Sequence, residues 1–486
     1  MTTEQEKTEE YIPDPRRWQV LSVLVVVLFM SLMSVSSINV ALPTIQQSLH
    51  ATQSELQWVL SGYALTFGIG LVAAGRAGDI YGRGPLFIAG TAIFTACSIW
   101  AGLATDPLHL NIARAVMGIG SGLISPQAVG MIQQYFRGAE RGRAFGIFGS
   151  VVGVSVSIGP LLGGLLIQAG GADAGWRWTF FVNVPIGILA IIAAFIWIPK
   201  PLLNRNREKT LGEVEPVRDL DPIGSVLLGL AVLAVMFPFL ETGATPLVWI
   251  ALPLGVVILL GWIWWENRYK DGGRAPMVDL HIFRVTSFAN GTLLVSLYFL
   301  GVTSVWVIVT LYMQEGLGHS ALEAGFVSLP SSVLSAFAAL WAGRSVARLG
   351  RKVVIGGLFS AVLGLVLSIL VVWLHAQGVA SEWWLLLSLS FVGIAQGAVI
   401  SPNQALTLAE VPLQYAGSSG GIMQTGQRVG TSMGIAIITA VVYAVLAVTS
   451  WAGAFMVGFL VIVVVVLLSL GVAFRDLRQR HGNAWL

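Results

Sequence analysis

Fourteen apolar runs, each about as long as a bilayer is thick, constrain this chain more than any other feature. A membrane-crossing helix needs roughly 20 mostly apolar residues. Runs of that kind lie near 19–42, 57–75, 85–105, 108–132, 142–168 and 178–198, then 222–240 and 246–265, then 287–313, 322–344, 352–374, 382–408, 417–446 and 450–473. Hydrophobic residues make up 56% of the chain and charged residues 10%, a balance that cannot solvate a globular surface. The predicted fold class is therefore an all-α membrane protein with fourteen transmembrane helices. The acidic stretch from Glu4 to Glu10, ahead of Arg16 and Arg17, does not match a cleavable signal, so the first run is predicted to stay as the first span.

The net charge of +3 is not spread evenly. With the N-terminus placed in the cytoplasm, every Lys and Arg falls on the cytoplasmic side except Arg177 outside and Arg114 and Arg428 inside spans. An odd or miscounted set of spans would scatter the basic residues over both faces, so the asymmetry supports both the orientation and the count. Basic residues confined to short loops point to membrane orientation and not to a nucleic-acid partner. Trp18, Trp58, Trp176, Trp249, Trp265, Trp383 and Trp451 sit at predicted span ends, where an amphipathic ring favours the interface. Cys97, the single cysteine, excludes an intramolecular disulfide and reads as a small core residue.

The chain repeats itself. AGRAGDIYGRG at 74–84 returns as AGRSVARLGRK at 342–352, an offset of 268 residues, and GIGSG at 118–122 returns as GIAQG at 393–397, an offset of 275. Each of the latter is soon followed by Ser-Pro, at Ser125-Pro126 and Ser401-Pro402. Spans 1–6 thus correspond to spans 9–14. The predicted organisation is a cytoplasmic tail (1–16), an N-terminal six-helix bundle (17–199), a cytoplasmic linker (200–221), two inserted helices (222–265), a cytoplasmic loop (266–286), a C-terminal six-helix bundle (287–474) and a cytoplasmic tail (475–486). Two homologous bundles related by an axis along the membrane normal imply a path between them and alternating access by rocking.

These residues resemble the major facilitator superfamily, in its fourteen-span drug:proton antiporter (multidrug efflux) branch, over essentially all of 17–474. Gly75, Asp79, Gly82 and Arg83 match the family loop between spans 2 and 3, although Ile80 stands where a basic residue is usual. Arg114, Gly118 and Gly122 match its fourth-span pattern. Gly146, Gly159, Pro160, Gly163 and Gly164 match the fifth-span antiporter motif, with Ser155 replacing its middle glycine. NVALP at 39–43 and WRWTFFVNVPIG at 176–187 also resemble this branch. The resemblance implies a secondary active exporter of small amphipathic compounds in the cytoplasmic (inner) membrane. It would have both termini cytoplasmic, work as a monomer, and need no cofactor beyond a proton gradient. Its expected partners are a small-molecule substrate and the lipid bilayer.

The resemblance makes the 75–83 loop a gate, in which glycines allow a tight turn and Asp79 faces a helix N-terminus or an Arg. The second copy has Ala347 where the first has Asp79, which predicts an asymmetric latch. Small residues and Pro160 in span 5 let it bend and pack closely, in keeping with export; static packing would explain the glycines equally without a hinge. Intramembrane charge is costly and marks function or pairing. By resemblance Arg114 takes part in proton coupling and Arg428 matches an arginine usual in this branch; the alternative for both is hydrogen bonding to carbonyls at helix breaks.

One departure matters. Ser34 stands where the family pattern has a span-1 aspartate, and no Asp or Glu lies deep within a predicted span. A serine cannot titrate in an accessible range. Either Asp79 or a span-end glutamate (Glu55, Glu241, Glu323 or Glu410) carries the proton, or coupling differs. Two arginines without a carboxylate would favour neutral, zwitterionic or anionic substrates, or an endogenous metabolite or envelope lipid. Tentative path residues are Ser34, Asn39, Tyr63, Gln127, Asn183, Tyr298, Gln314, Asn403, Gln404, Gln424 and Gln427, each equally able to serve as an interhelical hydrogen-bonding group. The six histidines are scattered without an HExxH-like pair, and no GxxxxGK[ST] phosphate loop occurs, so neither catalysis nor direct ATP drive is expected. A receptor-like sensor would leave the two-bundle repeat unexplained.

Overall fold

The computed structural model describes residues 14–199, 219–240 and 246–483. Among these, fourteen helices are long and apolar enough to cross a membrane. They are α1 (Arg17–Leu49), α2 (Gln53–Tyr81), α3 (Arg83–Gly102), α4 (Pro107–Tyr135), α5 (Gly138–Phe181), α6 (Asn183–Trp197), α7 (Pro222–Leu240), α8 (Ala251–Asp271), α9 (Thr286–Leu311), α10 (Ala321–Leu349), α11 (Arg351–Ala376), α12 (Leu385–Thr407), α13 (Ala416–Leu446) and α14 (Trp451–Asn483). Helix α5 contains a break at Gly171, whose φ of 72° no helix interior allows, so the fifth span is Gly138–Gly171 and the sixth, Ala174–Trp197, joins the end of α5 to α6.

Local sequence explains where helices start, and it does so twice. Thr52 accepts the Glu55 N–H while Glu55 Oε2 accepts the Thr52 N–H at 2.8 Å, and Ser320 and Glu323 repeat this reciprocal cap at α10 with the same 2.8 Å bond. Such a box satisfies orphan amide groups at a helix start. The two caps are 268 residues apart, extending the repeat seen in the loops. Gly82 and Gly350, again 268 apart, take φ of 108° and 55° at the sharp turns into α3 and α11.

Packing follows the repeat as well. α1 packs on α5 and α6, α2 on α4, and α3 on α4 and α6; α9 packs on α13 and α14, α10 on α12, and α11 on α12 and α14. The halves meet through α2 on α13 and α10 on α5, which are equivalent pairs under the repeat. α7 and α8 form a hairpin packed on each other, with α7 against both α2 and α13. A mainly apolar cavity of about 620 Å³, lined by residues including Trp58, Leu65, Leu233 and Phe237, separates part of this hairpin from α2 and α4.

Two helix ends run past the sequence expectation. α8 continues to Asp271, past the predicted end at 265, because Glu266 packs inward and Gly272 ends the helix. α14 continues to Asn483, so most of the predicted tail 475–486 is helix, with Asp476 only 1% exposed. No Asp or Glu lies deep within a span among the described residues, but three beside the span ends are buried: Asp221 just before α7, Glu266 near the end of α8 and Asp476 towards the end of α14. The tail up to residue 13, the linker over 200–218 and Glu241 lie outside the described residues.

Candidate gate and central cleft

Asp79 sits near the end of α2, at the end of the molecule that carries the Arg83 and Arg351 turns, here termed the basic end. Its Oδ1 accepts the Gly417 N–H at 2.9 Å, and its Oδ2 accepts the Ser418 N–H at 2.9 Å and the Ser418 hydroxyl at 3.2 Å. The carboxylate therefore caps the first turn of α13, where unpaired amides and the helix dipole favour negative charge. Arg83 donates to Asp79 at 2.7 Å, to Gln134 Oε1 at 2.8 Å and to the Leu413 carbonyl at 2.9 Å, tying α2, α4 and the approach to α13 together. The Asp79 side chain is 2% exposed, so these charged bonds are shielded from water.

Glycines let the helices come close enough for this. A Cβ on Gly75 would overlap the Gly417 carbonyl, and one on Gly343 would lie 2.5 Å from Gly146 Cα and from the Gly142 carbonyl oxygen. Gly343 is the repeat equivalent of Gly75, so the two halves close on two matching glycine crossings. Neither Gly343 nor Gly417 was singled out from the sequence; the 268-residue offset from Gly75 was the available signal for Gly343. Gly159 and Gly163 contact Ser36 and Ser37 of α1 within one half, whereas Gly164 has open space around it. Pro160 lies in the same stretch of α5.

The second copy of the loop has its own lock. Arg351, equivalent to Arg83, donates to Asp476 Oδ2 at 2.6 Å and also to Asn403 Oδ1. Asn290 donates to Asp476 Oδ1 at 3.2 Å, and Asn403 donates to the Gly291 carbonyl at 2.9 Å. This network ties α9, α11, α12 and α14 within one half, where Asp79 and Arg83 reach across both. The latch is asymmetric, as Ala347 predicted.

Contacts between the halves run from the basic end to the level of Arg428 and Phe67 on one side and Gly153 and Ser335 on the other. Ser125 donates to Gln424 Oε1 at 2.5 Å and Gln133 donates to the Ala416 carbonyl at 3.2 Å across the same seam. One buried apolar cluster there joins both halves, from Val20 and Phe145 to Val346, Ala405 and Met423. Of the other clusters, the one around Ile45, Leu56 and Trp176 lies beyond that level within the N-terminal half, and the one around Tyr312, Leu385 and Phe455 belongs to the C-terminal half alone. The molecule is thus closed at its basic end and parted at the other.

At the level where the contacts between the halves end, two arginines bracket an aromatic pair. Arg114 lies 4.3 Å from the Tyr63 ring centre and Arg428 lies 4.3 Å from the Phe67 ring centre, with the rings 5.9 Å apart. Arg114 Nε donates to the Val59 carbonyl at 3.1 Å, and Arg114 is 1% exposed. The Val59 carbonyl belongs to the interior of α2 and not to a helix break, and the bond fixes the guanidinium against Tyr63. Tyr63 in turn donates to Ser121 Oγ at 2.7 Å, with Ser31 Oγ 3.0 Å from the same atom. Ser34 is 2% exposed and its hydroxyl has no partner.

The polar residues named from the sequence do not all gather here. Tyr63, Gln424 and Arg428 meet at the seam; Gln427, half-buried, follows on the same helix with an unpartnered amide. Gln127 donates to the Ala74 carbonyl at 2.7 Å and joins α4 to α2. Asn183 bonds its own helix start through Thr179, and Asn403 belongs to the Arg351 network. These three are interhelical or local ties and not a shared lining. Tyr298 and Gln404 are buried within the C-terminal half, each with an unpartnered oxygen. Asn39 is exposed towards the parted end, and Gln314 occupies the π turn after α9. Of the span-end acids among the described residues, Glu55 and Glu323 are capping residues and Glu410 accepts the Ser287 hydroxyl at 2.8 Å, so these three are engaged away from the two arginines.

A family model described as Major Facilitator Superfamily matches residues 24–435 and 292–484. The chain belongs to the Major Facilitator Superfamily. Among curated relatives it is 32% identical over 431 residues to a probable actinorhodin transporter of Streptomyces coelicolor, covering 88% of this chain and 72% of that one. It is 31% identical to the puromycin resistance protein pur8 of Streptomyces alboniger, covering 88% and 82%. The fold matches that of the human organic anion transporter MFSD10 with a TM-score of 0.68 at 13% identity, covering 95% of this chain and 100% of that one. This Major Facilitator Superfamily member is accordingly a multi-pass membrane transporter.

Proposed function

We propose that this chain exports small amphipathic compounds across the cytoplasmic membrane by alternating access coupled to proton antiport. The basic end and both termini face the cytoplasm in this reading, and a single chain suffices. The carrying observation is the gate: Asp79 of one half caps α13 of the other at the closed end, while the cleft between the halves parts at the opposite end. That is the arrangement of an exporter after release. The names of the relatives, which include a probable actinorhodin transporter, a puromycin resistance protein and a tetracenomycin C resistance and export protein, support export of small molecules.

A second reading is favoured by Ser34 together with Arg114 and Arg428. Two guanidiniums near the seam, with no carboxylate on either among the described residues, favour neutral, zwitterionic or anionic solutes, an endogenous metabolite or envelope lipid among them, with atypical or absent proton coupling. Purified protein in liposomes distinguishes the two. Cationic, neutral and anionic candidates are added while internal pH is followed, with Arg114→Ala and Asp79→Asn as controls. Substrate movement without any proton movement would remove antiport, and a preference for monovalent cationic dyes would remove the charge argument.

A further inference from the structure

The inserted hairpin holds a buried acidic pair that neither the gate nor the cleft uses. Asp221, just before α7, is 0% exposed, and Glu266, near the end of α8, is 1% exposed. Asp221 is well satisfied: Oδ1 accepts the Gly224 N–H at 2.9 Å, and Trp265 Nε1 donates to Oδ1 and Oδ2 at 3.0 and 3.1 Å. Glu266 is not. Its Oε2 accepts a long 3.4 Å bond from the Val278 N–H, with the Met277 N–H also acting on the carboxylate, and its Oε1 has no partner at hydrogen-bond geometry among the described residues. A Cβ on Gly224 would lie 2.9 Å from Glu266 Oε1 and closer still to Asp221 Oδ2, so both oxygens border the space this glycine leaves. The Trp262 indole, 6% exposed and also unpartnered, is turned towards the same carboxylate.

The other charged groups around this pocket are accounted for. Tyr269 donates to Asp219 at 2.6 Å with Arg274 over its ring at 5.3 Å, and Lys270, Asp279 and His281 bind one another. From α13 the pocket receives the apolar side chain of Ile422, and Tyr415 bonds Asp279. Ile69 meets Gly229 of α7, and Val72 packs with Trp262, Met277 and Val278; Arg76 continues that face towards the basic end. It is 9% exposed, its Nε is unpartnered, and it forms no ion pair among the described residues.

Two ionised carboxylates cannot share an enclosed apolar pocket with an oxygen left unpartnered; one proton between them removes the excess charge and supplies the missing donor. We propose that Asp221 and Glu266 form a proton-binding site, and that release of its proton draws Arg76 of the gate-bearing helix towards Glu266. The Glu266 O–H bond breaks heterolytically, the electron pair stays on the carboxylate, and the proton passes to water at the basic end. Arg76 lies three residues before Asp79, so its movement bears directly on the latch. This use of the site rests on the antiport reading, and it gives that reading the titratable group that position 34 lacks.

The test separates the two. Infrared spectra of the purified transporter are recorded across a pH series, reading the carbonyl stretch of a protonated carboxylic acid. The wild type shows such a band titrating, Glu266→Gln loses it, and Asp221→Asn, which keeps the shape of the pocket, moves its midpoint by about one pH unit. A wild type without the band, or a midpoint unmoved by Asp221→Asn, overturns the site. In liposomes Glu266→Gln loses gradient-driven transport at least about tenfold while substrate counterflow stays within about twofold of wild type. Gradient-driven transport unchanged in that variant overturns its coupling role. If the wild type moves substrate without protons, antiport falls while the infrared band still decides whether the pair binds a proton.

Discussion

At the scale of single residues, Asp79 is the clearest case of a charge placed by both sequence and fold. Its bonds to Gly417, Ser418 and Arg83 are charge-assisted, worth about 1.5–3 kcal/mol each. Replacing it by Asn and losing only ~2 kcal/mol shifts the balance between closed and open basic ends by about thirtyfold. Spin labels at Ala139 and Leu349, exposed on opposite halves, read this as a longer distance distribution in Asp79→Asn; an unchanged distribution removes the latch. Arg114 depends on shape as well as charge, through its Val59 carbonyl bond and its place over Tyr63. Lys cannot reproduce that planar contact. Arg114→Lys is expected to keep a near-native melting temperature and to lose about tenfold in transport rate, measured side by side in liposomes. The importance of Arg114 was legible because an arginine amid apolar residues is rare in a span. Its partners were not, since Val59 and Tyr63 become neighbours only when α2 packs on α4. Asp221 and Glu266 escaped notice for a related reason: at predicted span edges they read as solvated loop charges until the helix ends were fixed.

Among elements, the α5–α10 crossing is decided by what is missing from Gly343. Its absent side chain lets Gly142 and Gly146 reach it, so Gly343→Leu must wedge the basic end apart and lower transport, while Gly164→Ala, facing open space, should raise the melting temperature slightly, by roughly 0.5–1 kcal/mol of helix stability. Equal effects of the two substitutions would remove the crossing as a gate element. Sequence periodicity revealed all fourteen spans, because burial in lipid writes long apolar runs directly into composition. It did not separate glycines that meet a partner helix from those that do not, because only the packed register distinguishes Gly163 from Gly164. The loop after α8 offers a check through Asp279, bonded by Lys270 at 2.8 Å and by the His281 N–H at 3.0 Å. Partial burial raises this carboxyl, but those hydrogen bonds outweigh it and hold it below the usual carboxylate range. A depressed folded-state value gives stability that is present above the unfolded value and lost as pH falls through the folded one. Asp279→Asn should therefore melt earlier than wild type at neutral pH, with the gap closing below about pH 4. A gap that stays constant down to acid would show that the bonds contribute nothing.

For the whole molecule, the repeat was visible as matched loops, and the structure extends it to caps, turns and helix pairings. The direction of opening was not visible, because a sequence lists both ends of every helix alike and says nothing of which end the halves share. The feature that settles it, an apolar cluster spanning both halves at the basic end alone, has a thermal consequence. Opening that end exposes Phe145, Val346, Met423 and their neighbours to water, and hydration of apolar surface carries a large positive heat capacity. Apolar association weakens on cooling. The equilibrium between the two states should therefore follow a curved van't Hoff plot, with the basic end opening more readily in the cold, so that the resting orientation of this transporter depends on the temperature at which its host grows.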